Sequence, residues 1–216
     1  MKKFTLLELL IVVAIIGILA SLLLPSLGKA REKGKQAVCL SNARQVGLAT
    51  MMYLTDNNGK TPIDDLIDYN TRWFDLLSPD YLAAAKTAGW APEVCKCPNG
   101  MPLTARWQSN IAMNSKITGK NQNGDSGPWT TNRIPILSAT NPGETCLLMD
   151  SAYNWRSISN GSMTIDRLID EAPDARVARH LDRANVIRLD GSGVSKSSLF
   201  LLTTNSWDNP FWHPEK

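Results

Sequence analysis

From Phe4 to Leu24 the chain is an almost unbroken apolar run, preceded by Lys2 and Lys3 and interrupted by one carboxylate, Glu8. A helix needs about 20 such residues to cross the hydrocarbon core of a bilayer, and this run is long enough. Beyond it the pattern changes. Between Ala30 and Leu54 apolar residues recur at Ala37, Leu40, Ala43, Gly47, Leu48, Met51 and Leu54. Spacings of three and four mark one face of a helix. Arg31, Lys35, Gln36, Asn42 and Gln45 fall on the other face. The two patterns join into one predicted helix, roughly 75 Å long at 1.5 Å per residue. Pro25 is expected to kink it and Gly28 and Gly34 to soften it, while Asp56-Asn57-Asn58-Gly59 favours a turn and ends it. The apolar stripe of the second half needs a partner layer, and a sheet laid against it is the usual solution.

The rest of the chain supplies short elements for that layer. Trp73–Leu77 and Tyr81–Ala84 read as helical or irregular packing segments separated by Ser78-Pro79. Arg106–Met113 reads as a strand, and Gly119–Pro128 as a loop rich in Gly, Asn and Asp. Asn141-Pro142-Gly143 is a turn signal leading into a buried strand at Thr145–Met149. Ala184–Leu189 is a further strand, and Asp190-Gly191-Ser192-Gly193 turns it into a last one at Val194–Lys196. The predicted class is α+β: a long N-terminal helix, half membrane and half amphipathic, packed on a small antiparallel sheet.

Glu8 is the residue that asks for an explanation. An acidic side chain inside a membrane span costs roughly 2.5–3.5 kcal/mol on insertion scales, so it normally has a partner and a role. Three readings compete: a cleaved secretory signal, a plain anchor, and an anchor that also assembles. A secretory signal has an apolar core of about 7–15 residues and a small-residue cleavage site, neither of which fits here. A plain anchor leaves Glu8 without a reason.

Composition narrows the field further. The chain has 216 residues and a net charge of +3; with the helix set aside, about 160 residues remain, enough for one modest domain. Lys29, Arg31, Lys33 and Lys35 cluster just past the apolar run, where they meet lipid headgroups sooner than nucleic acid. No nucleic-acid recognition motif accompanies them. Four cysteines, Cys39, Cys95, Cys97 and Cys146, suit an exported domain with disulfides and allow three pairings, among which sequence does not choose. Cys95-Lys96-Cys97 is too tight for a zinc knuckle, and neither of the two histidines is near a cysteine in sequence. On sequence alone the thiols therefore do not predict a metal site.

The N-terminal segment resembles the cleavage and methylation motif of type IV pilins and type II secretion pseudopilins. The match places Phe4 as first residue of the mature chain, Thr5, Leu6 and Leu7 before Glu8, and Gly17 and Pro25 thirteen and twenty-one residues after Phe4. Lys3 departs from the family, which usually has glycine or alanine before the cleavage point. The resemblance implies a leader of residues 1–3 removed by a prepilin peptidase, an assembly helix over 4–27, its amphipathic continuation over 28–56 and a globular ectodomain over 57–216. It implies that Glu8 pairs with the new α-ammonium of Phe4 on a neighbouring, identical or related subunit. It also implies a single-pass inner-membrane precursor handled by an inner-membrane assembly machinery, with its C-terminal domain outside the cytoplasm. Lys2 and Lys3 favour that orientation, and the cysteines suit an oxidising exterior.

The ectodomain resembles a branch of the same family in which a histidine is followed, after nine residues, by Asp-Gly. The residues are Arg179-His180, Asn185 and Asp190-Gly191, with Cys39, Asn42, Gln45, Gly47, Tyr53, Asp56, Asn57, Gly59 and Pro62 upstream. Cys97-Pro98, Asn114 and the Pro142, Glu144 and Asp150 segment fit the same group. His180 and Asp190 could place an imidazole near a carboxylate, yet no nucleophile in a recognisable setting follows, since Ser192 sits in a turn. The expected roles are structural: His180 bonding backbone where a strand begins, and Asp190-Gly191 forming the turn. Calcium at Asp190, with Asp182 and Asp208 offering oxygens, is a weaker expectation because the spacing matches no calcium loop. Of the seven tryptophans, Trp129 and Trp155 have polar and glycine neighbours suited to ligand contact, whereas Trp207 to Trp212 would pin the tail. The functional expectation is a non-enzymatic filament subunit without a required cofactor. The alternative is an anchored recognition module binding a glycan or protein through exposed tryptophans.

Overall fold

A computed structural model describes residues 5–62, 72–84, 90–105, 108–114, 117, 139–151, 157–158, 176–204 and 209–212. Its main element is α1, Leu6–Asp56, a continuous 51-residue helix that carries Pro25 inside it. At 1.5 Å per residue this is about 77 Å. Thr5 caps its start. The Glu8 N–H donates to the Thr5 hydroxyl oxygen at 3.3 Å, and Glu8 Oε2 accepts from both the Thr5 N–H and the Thr5 hydroxyl at 2.8 Å. This reciprocal arrangement satisfies the Thr5 and Glu8 amide N–H groups, two of the donors that a helix start leaves over. At the other end Asn57 donates its side-chain amide to Tyr53 O at 2.8 Å, and Asn58 and Gly59 adopt positive φ of 54° and 73°. The expected turn is there.

The sheet runs in the order β3-β1-β2-β4-β5, with β1 Ile111–Asn114, β2 Cys146–Asp150, β3 Ser157–Ile158, β4 Arg183–Arg188 and β5 Gly193–Ser197. The pairs β1–β2, β2–β4 and β4–β5 are antiparallel. Two-residue β3 joins β1 in parallel, an addition to the antiparallel sheet that was expected. Both faces of the sheet are covered. On one side α1 and α2 (Trp73–Leu77) pack on Leu148, Ile187 and Leu189 through Ala43, Val46, Ala49, Trp73 and Phe74. On the other, α3 (Ser198–Thr203) and residues 209–212 cover Met149, Ala184 and Val186 with Leu201, Phe211 and Trp212. Double coverage is why β1 and β2 are buried at every position and read as apolar runs rather than alternations.

Several boundaries differ from the sequence expectation. The strand expected over Arg106–Met113 is β1 alone, starting after Ser109 and Asn110, with 106 and 107 outside the described residues. The strands expected at Thr145–Met149, Ala184–Leu189 and Val194–Lys196 are β2, β4 and β5, each shifted by about a residue. The expected loop over 119–128 lies outside the described residues. The buried stripe of α1 is Cys39, Ala43, Val46, Gly47, Ala49, Thr50 and Leu54. Ala37 and Leu48, expected on it, are exposed, and Gln36 and Asn42, expected opposite, face the domain. The stripe is built largely from small residues. Small side chains bring the helix axis close to the sheet, and polar groups at the rim of the contact then reach strand and loop atoms. Residues 209–212 dock on the domain, Cys146 donating its N–H to Phe211 O at 2.7 Å and Asn114 its side-chain amide to Trp212 O at 2.9 Å, while Trp207 of the expected tail pin and Asp208 of the calcium expectation lie outside the described residues.

Candidate functional site

Two regions draw attention. The first is the projecting half of α1. It is the one helix among the described residues that is long and apolar enough to cross a membrane, and none of its most apolar window is buried by the domain. From Leu6 to Leu27 every side chain is exposed. A bare apolar rod of that length must be covered, by lipid or by other helices. Glu8, Gly17 and Pro25 all lie on it, and nothing stands within 4 Å of where a Gly17 side chain would begin. The surprise is Thr5. Its bonds to Glu8 satisfy carboxylate lone pairs but leave the negative charge uncompensated. The capping signature, Thr followed three residues later by Glu, was readable in the sequence and is the signal that reading missed. Lys3 and Phe4 lie outside the described residues.

The second region is a buried polar cluster where the domain is fastened to α1. Cys39 of α1 forms a disulfide with Cys97, which follows the 3-10 turn Glu93–Cys95. Two further ties flank it: Asn42 donates to Lys96 O at 3.1 Å, and Asn99 donates to Glu32, which also pairs with Lys35 at 3.0 Å. Behind the disulfide stands His180. Its Nε2 lies 3.4 Å from Cys97 Sγ and 3.6 Å from Asp150 Oδ2, and both ring and carboxylate are buried. Asp150 Oδ2 also accepts the Asn185 N–H at 2.6 Å. Asn110 props the loop from below: its Oδ1 accepts the Cys97 N–H at 2.9 Å and its amide donates to Met101 O at 3.1 Å. Gly100 has to be glycine here. A Cβ on it would sit 2.6 Å from both Arg179 Nη1 and the Asn110 side-chain carbon.

Burial controls the charges in this cluster. Loss of water pushes the Asp150 carboxyl up to about 6, with the Arg179 guanidinium and the Asn185 N–H pulling the other way. Burial pushes His180 down to about 4, reinforced by Arg179 and opposed by Glu32. Near neutral pH the ring is therefore uncharged and the carboxylate ionised beside Arg179. The arrangement holds no nucleophile poised for hydrolysis, since Cys97 is engaged in its disulfide.

The sequence-predicted residues separate accordingly. The His180 main chain exchanges bonds with Arg183 at 3.0 and 3.1 Å where β4 begins, but its ring faces Cys97 and Asp150 and not the backbone that was expected. Its carboxylate neighbour is Asp150; Asp190 stands at the opposite end of β4. Asp190-Gly191 forms the expected turn, with Gly191 at φ 83° and Asp190 Oδ1 accepting the Ser192 N–H at 2.8 Å. The Ser192 hydroxyl first, and this N–H after it, hold the Asp190 carboxyl below its ordinary value. Among the described residues Asp190 belongs to no cluster of three or more metal-ligating side chains, whereas Cys39, Cys97 and His180 form one. Of the four cysteines only Cys39 and Cys97 are joined; Cys95 and Cys146 are buried free thiols, which corrects their inclusion among disulfide candidates. Trp129 and Trp155 lie outside the described residues, and Trp212 is in the core. Sequence reasoning missed Asp150 as the partner of His180 because they meet only across β2 and β4.

Comparison with known proteins gives two partial matches. The chain is 45% identical over 60 residues to a type IV wide pilus major component of Thermus thermophilus, covering 28% of this chain and 46% of that protein. It is 46% identical over 55 residues to type II secretion system core protein G of Aeromonas hydrophila, covering 26% of this chain and 38% of that protein. Part of this chain is similar to pilins and pseudopilins. The matches span less than half the length of either relative. No family model matches, and no solved structure does so with significance. The long helix on a small sheet is the architecture of pilin-like proteins, and it accounts for the fold.

Proposed function

We propose that this protein is a structural subunit of a type IV pilus-like or type II secretion pseudopilus filament, assembled through its N-terminal helix. The observation that carries the reading is the helix itself. Its first half is apolar apart from Glu8 and two serines and stands clear of the domain; its second half is fastened to the domain by packing on the sheet and by a disulfide to Cys97. A rod of this kind transmits position from a membrane-embedded or helix-bundle environment to a rigid head. The partial similarity to a pilus component and a secretion core protein supports the same reading.

In this proposal a prepilin peptidase removes residues 1–3, and the α-ammonium of Phe4 on one subunit meets Glu8 of its neighbour. Thr5 supplies hydrogen bonds to the carboxylate and orients it, while the neighbouring cation supplies the compensating charge. Because a buried carboxylate is stable only with its partner, solvation is coupled to register between subunits. The precursor sits in the inner membrane with its domain outside the cytoplasm, and Lys29, Arg31 and Lys33 flank the headgroup region. The role is mechanical; no reaction is assigned to it.

Glu8→Ala tests the core of this reading. The variant should enter the membrane normally and fail to enter filaments, measured as pelletable, sheared filament protein against total membrane protein. Unchanged incorporation overturns the pairing. An intact mass that starts at methylated Phe4 supports processing, and a mature chain that retains Met1 overturns it.

A further inference from the structure

The side chains gathered behind the Cys39–Cys97 bond form more than a clamp. They come from four separate elements: Cys39 from α1, Cys97 from the loop after the 3-10 turn, His180 from the turn before β4 and Asp150 from the end of β2. All four are buried, with Cys97 the most exposed at 7%. The two sulfurs and the ring nitrogen converge, and the Asp150 carboxylate stands beside the nitrogen. His180 Nε2 is 3.4 Å from Cys97 Sγ and 3.6 Å from Asp150 Oδ2. The ligating atoms of Cys39, Cys97 and His180 all lie within 4.8 Å of one another. With bonds of about 2.3 Å to sulfur and 2.0–2.2 Å to nitrogen and oxygen, a tetrahedral zinc site has nitrogen-to-ligand edges of about 3.4–3.6 Å. The two edges at His180 already have that length.

We propose that the chain with Cys39 and Cys97 reduced binds one thiophilic divalent cation, of the Zn2+ class, through Cys39 Sγ, Cys97 Sγ and His180 Nε2, with Asp150 Oδ2 moving in from beside the ring as the fourth ligand. Two thiolates with one imidazole select a borderline or soft ion over Ca2+ or Mg2+, which prefer all-oxygen sites. No such site was legible from spacing along the chain, because the tight Cys95-Lys96-Cys97 pair is split by the fold. Cys95 turns into the core as a free thiol and Cys97 alone faces His180. Metal and disulfide are mutually exclusive states of the same two sulfurs. A small-molecule disulfide converts one into the other: the protein's two thiolates form the Cys39–Cys97 bond, the added S–S bond breaks, two solvent protons complete two free thiols, and the metal leaves. The site would thus occupy the thiols until the chain is oxidised.

The experiment uses the full chain in detergent micelles, carrying Cys95→Ala and Cys146→Ala so that only the two relevant thiols remain. After phosphine reduction and removal of the reductant, Co2+ is titrated and sulfur-to-cobalt charge-transfer absorption recorded. One equivalent should bind, Zn2+ should bleach the band, and oxidised glutathione should abolish it as the disulfide returns. The still-oxidised chain should show no band. His180→Ala should weaken Co2+ binding by at least about tenfold, given that even outer-shell losses cost 10–100-fold. Asp150→Asn should keep the band but shift the d–d spectrum. Circular dichroism follows the fold throughout. A folded, reduced chain with no charge-transfer band overturns the proposal, as does equal affinity in His180→Ala. A reduced chain that loses its fold and does not regain it with Zn2+ overturns it too.

Discussion

Gly47→Ala sets two effects of known sign against each other. Gly47 is buried where α1 crosses β4, and a Cβ there would meet Ile187 Cγ2 at 2.8 Å and Ile187 Cβ at 3.7 Å. Glycine inside a helix costs about 1 kcal/mol relative to alanine, so on an open face the substitution would stabilise. Here the new methyl is roughly 1 Å inside the 3.5–4.0 Å at which carbon atoms rest together. Cγ2 is attached directly to the branch carbon of Ile187, so it retreats only if the whole side chain rotates or the helix lifts. Ile187 is fully buried and β4 is paired on both sides, which leaves little room for either. Overpacking of this kind costs about 1–3 kcal/mol. The expected net effect is a loss of roughly 1 kcal/mol, since the steric term exceeds the helix gain. Urea unfolding of the full chain in detergent, followed by tryptophan fluorescence, measures it. Ile187→Ala alone should cost about 2–5 kcal/mol, and in Gly47→Ala/Ile187→Ala the two should offset each other by 0.5 kcal/mol or more. A Gly47→Ala chain as stable as its parent, or strict additivity in the double variant, refutes the argument that small residues on α1 set its distance from the sheet.

Other consequences follow from the buried cluster. Cys39 and Cys97 are 58 residues apart, and closing a loop of that length restricts the unfolded chain by about 4 kcal/mol; Cys39→Ala/Cys97→Ala should lower the urea midpoint accordingly, and an unmoved midpoint refutes this. In the oxidised chain the folded Asp150–His180 pair holds one proton between about pH 4 and 6, on Asp150. Unfolded, the same pair also holds one, on histidine, so the pair gives stability almost no slope in that window. His180→Ala exposes the raised Asp150 alone: the folded state then binds the extra proton, and stability should rise by up to roughly 3 kcal/mol as pH falls from 6 to 4. Asp150→Asn should do the reverse, losing stability as pH falls through the same range, and parallel profiles for both variants refute the pairing. Burial pushes the Cys95 thiol up to about 12 and that of Cys146 higher still, so neither should react with iodoacetamide at pH 8 until urea unfolds the chain; rapid native alkylation, read by mass, contradicts their placement.

The N-terminal helix, about a quarter of the chain, was legible in kind and extent. The apolar run, its acidic interruption, the three-and-four period of the second half and the Asp-Asn-Asn-Gly stop are local signals, and each maps to an observed part of α1. Even the bond between Thr5 and Glu8 belongs to this class, since a capping box spans a single turn. The positions of β2, β4 and β5 were legible to within a residue because Asn-Pro-Gly and Asp-Gly-Ser-Gly are strong turn signals beside them, whereas β1 started five residues later than expected and β3 was not foreseen. Where the stripe on α1 was misjudged, at Ala37, Leu48, Gln36 and Asn42, the helical period was right and only the rotation about the axis was wrong. Rotation is fixed by what lies opposite.

The pairing of Cys39 with Cys97, the meeting of His180 with Asp150 and the close fit of Gly100 against Arg179 were decided by tertiary structure. These residues are separated by tens of positions and brought together by strand order, which periodicity along one segment does not encode. A sequence determines which segments are helix, strand and turn, and that one helix must live partly outside water. Which buried charges face each other depends on how the layers stack, because Coulomb and desolvation energies are set by distances across elements and not by spacing along the chain.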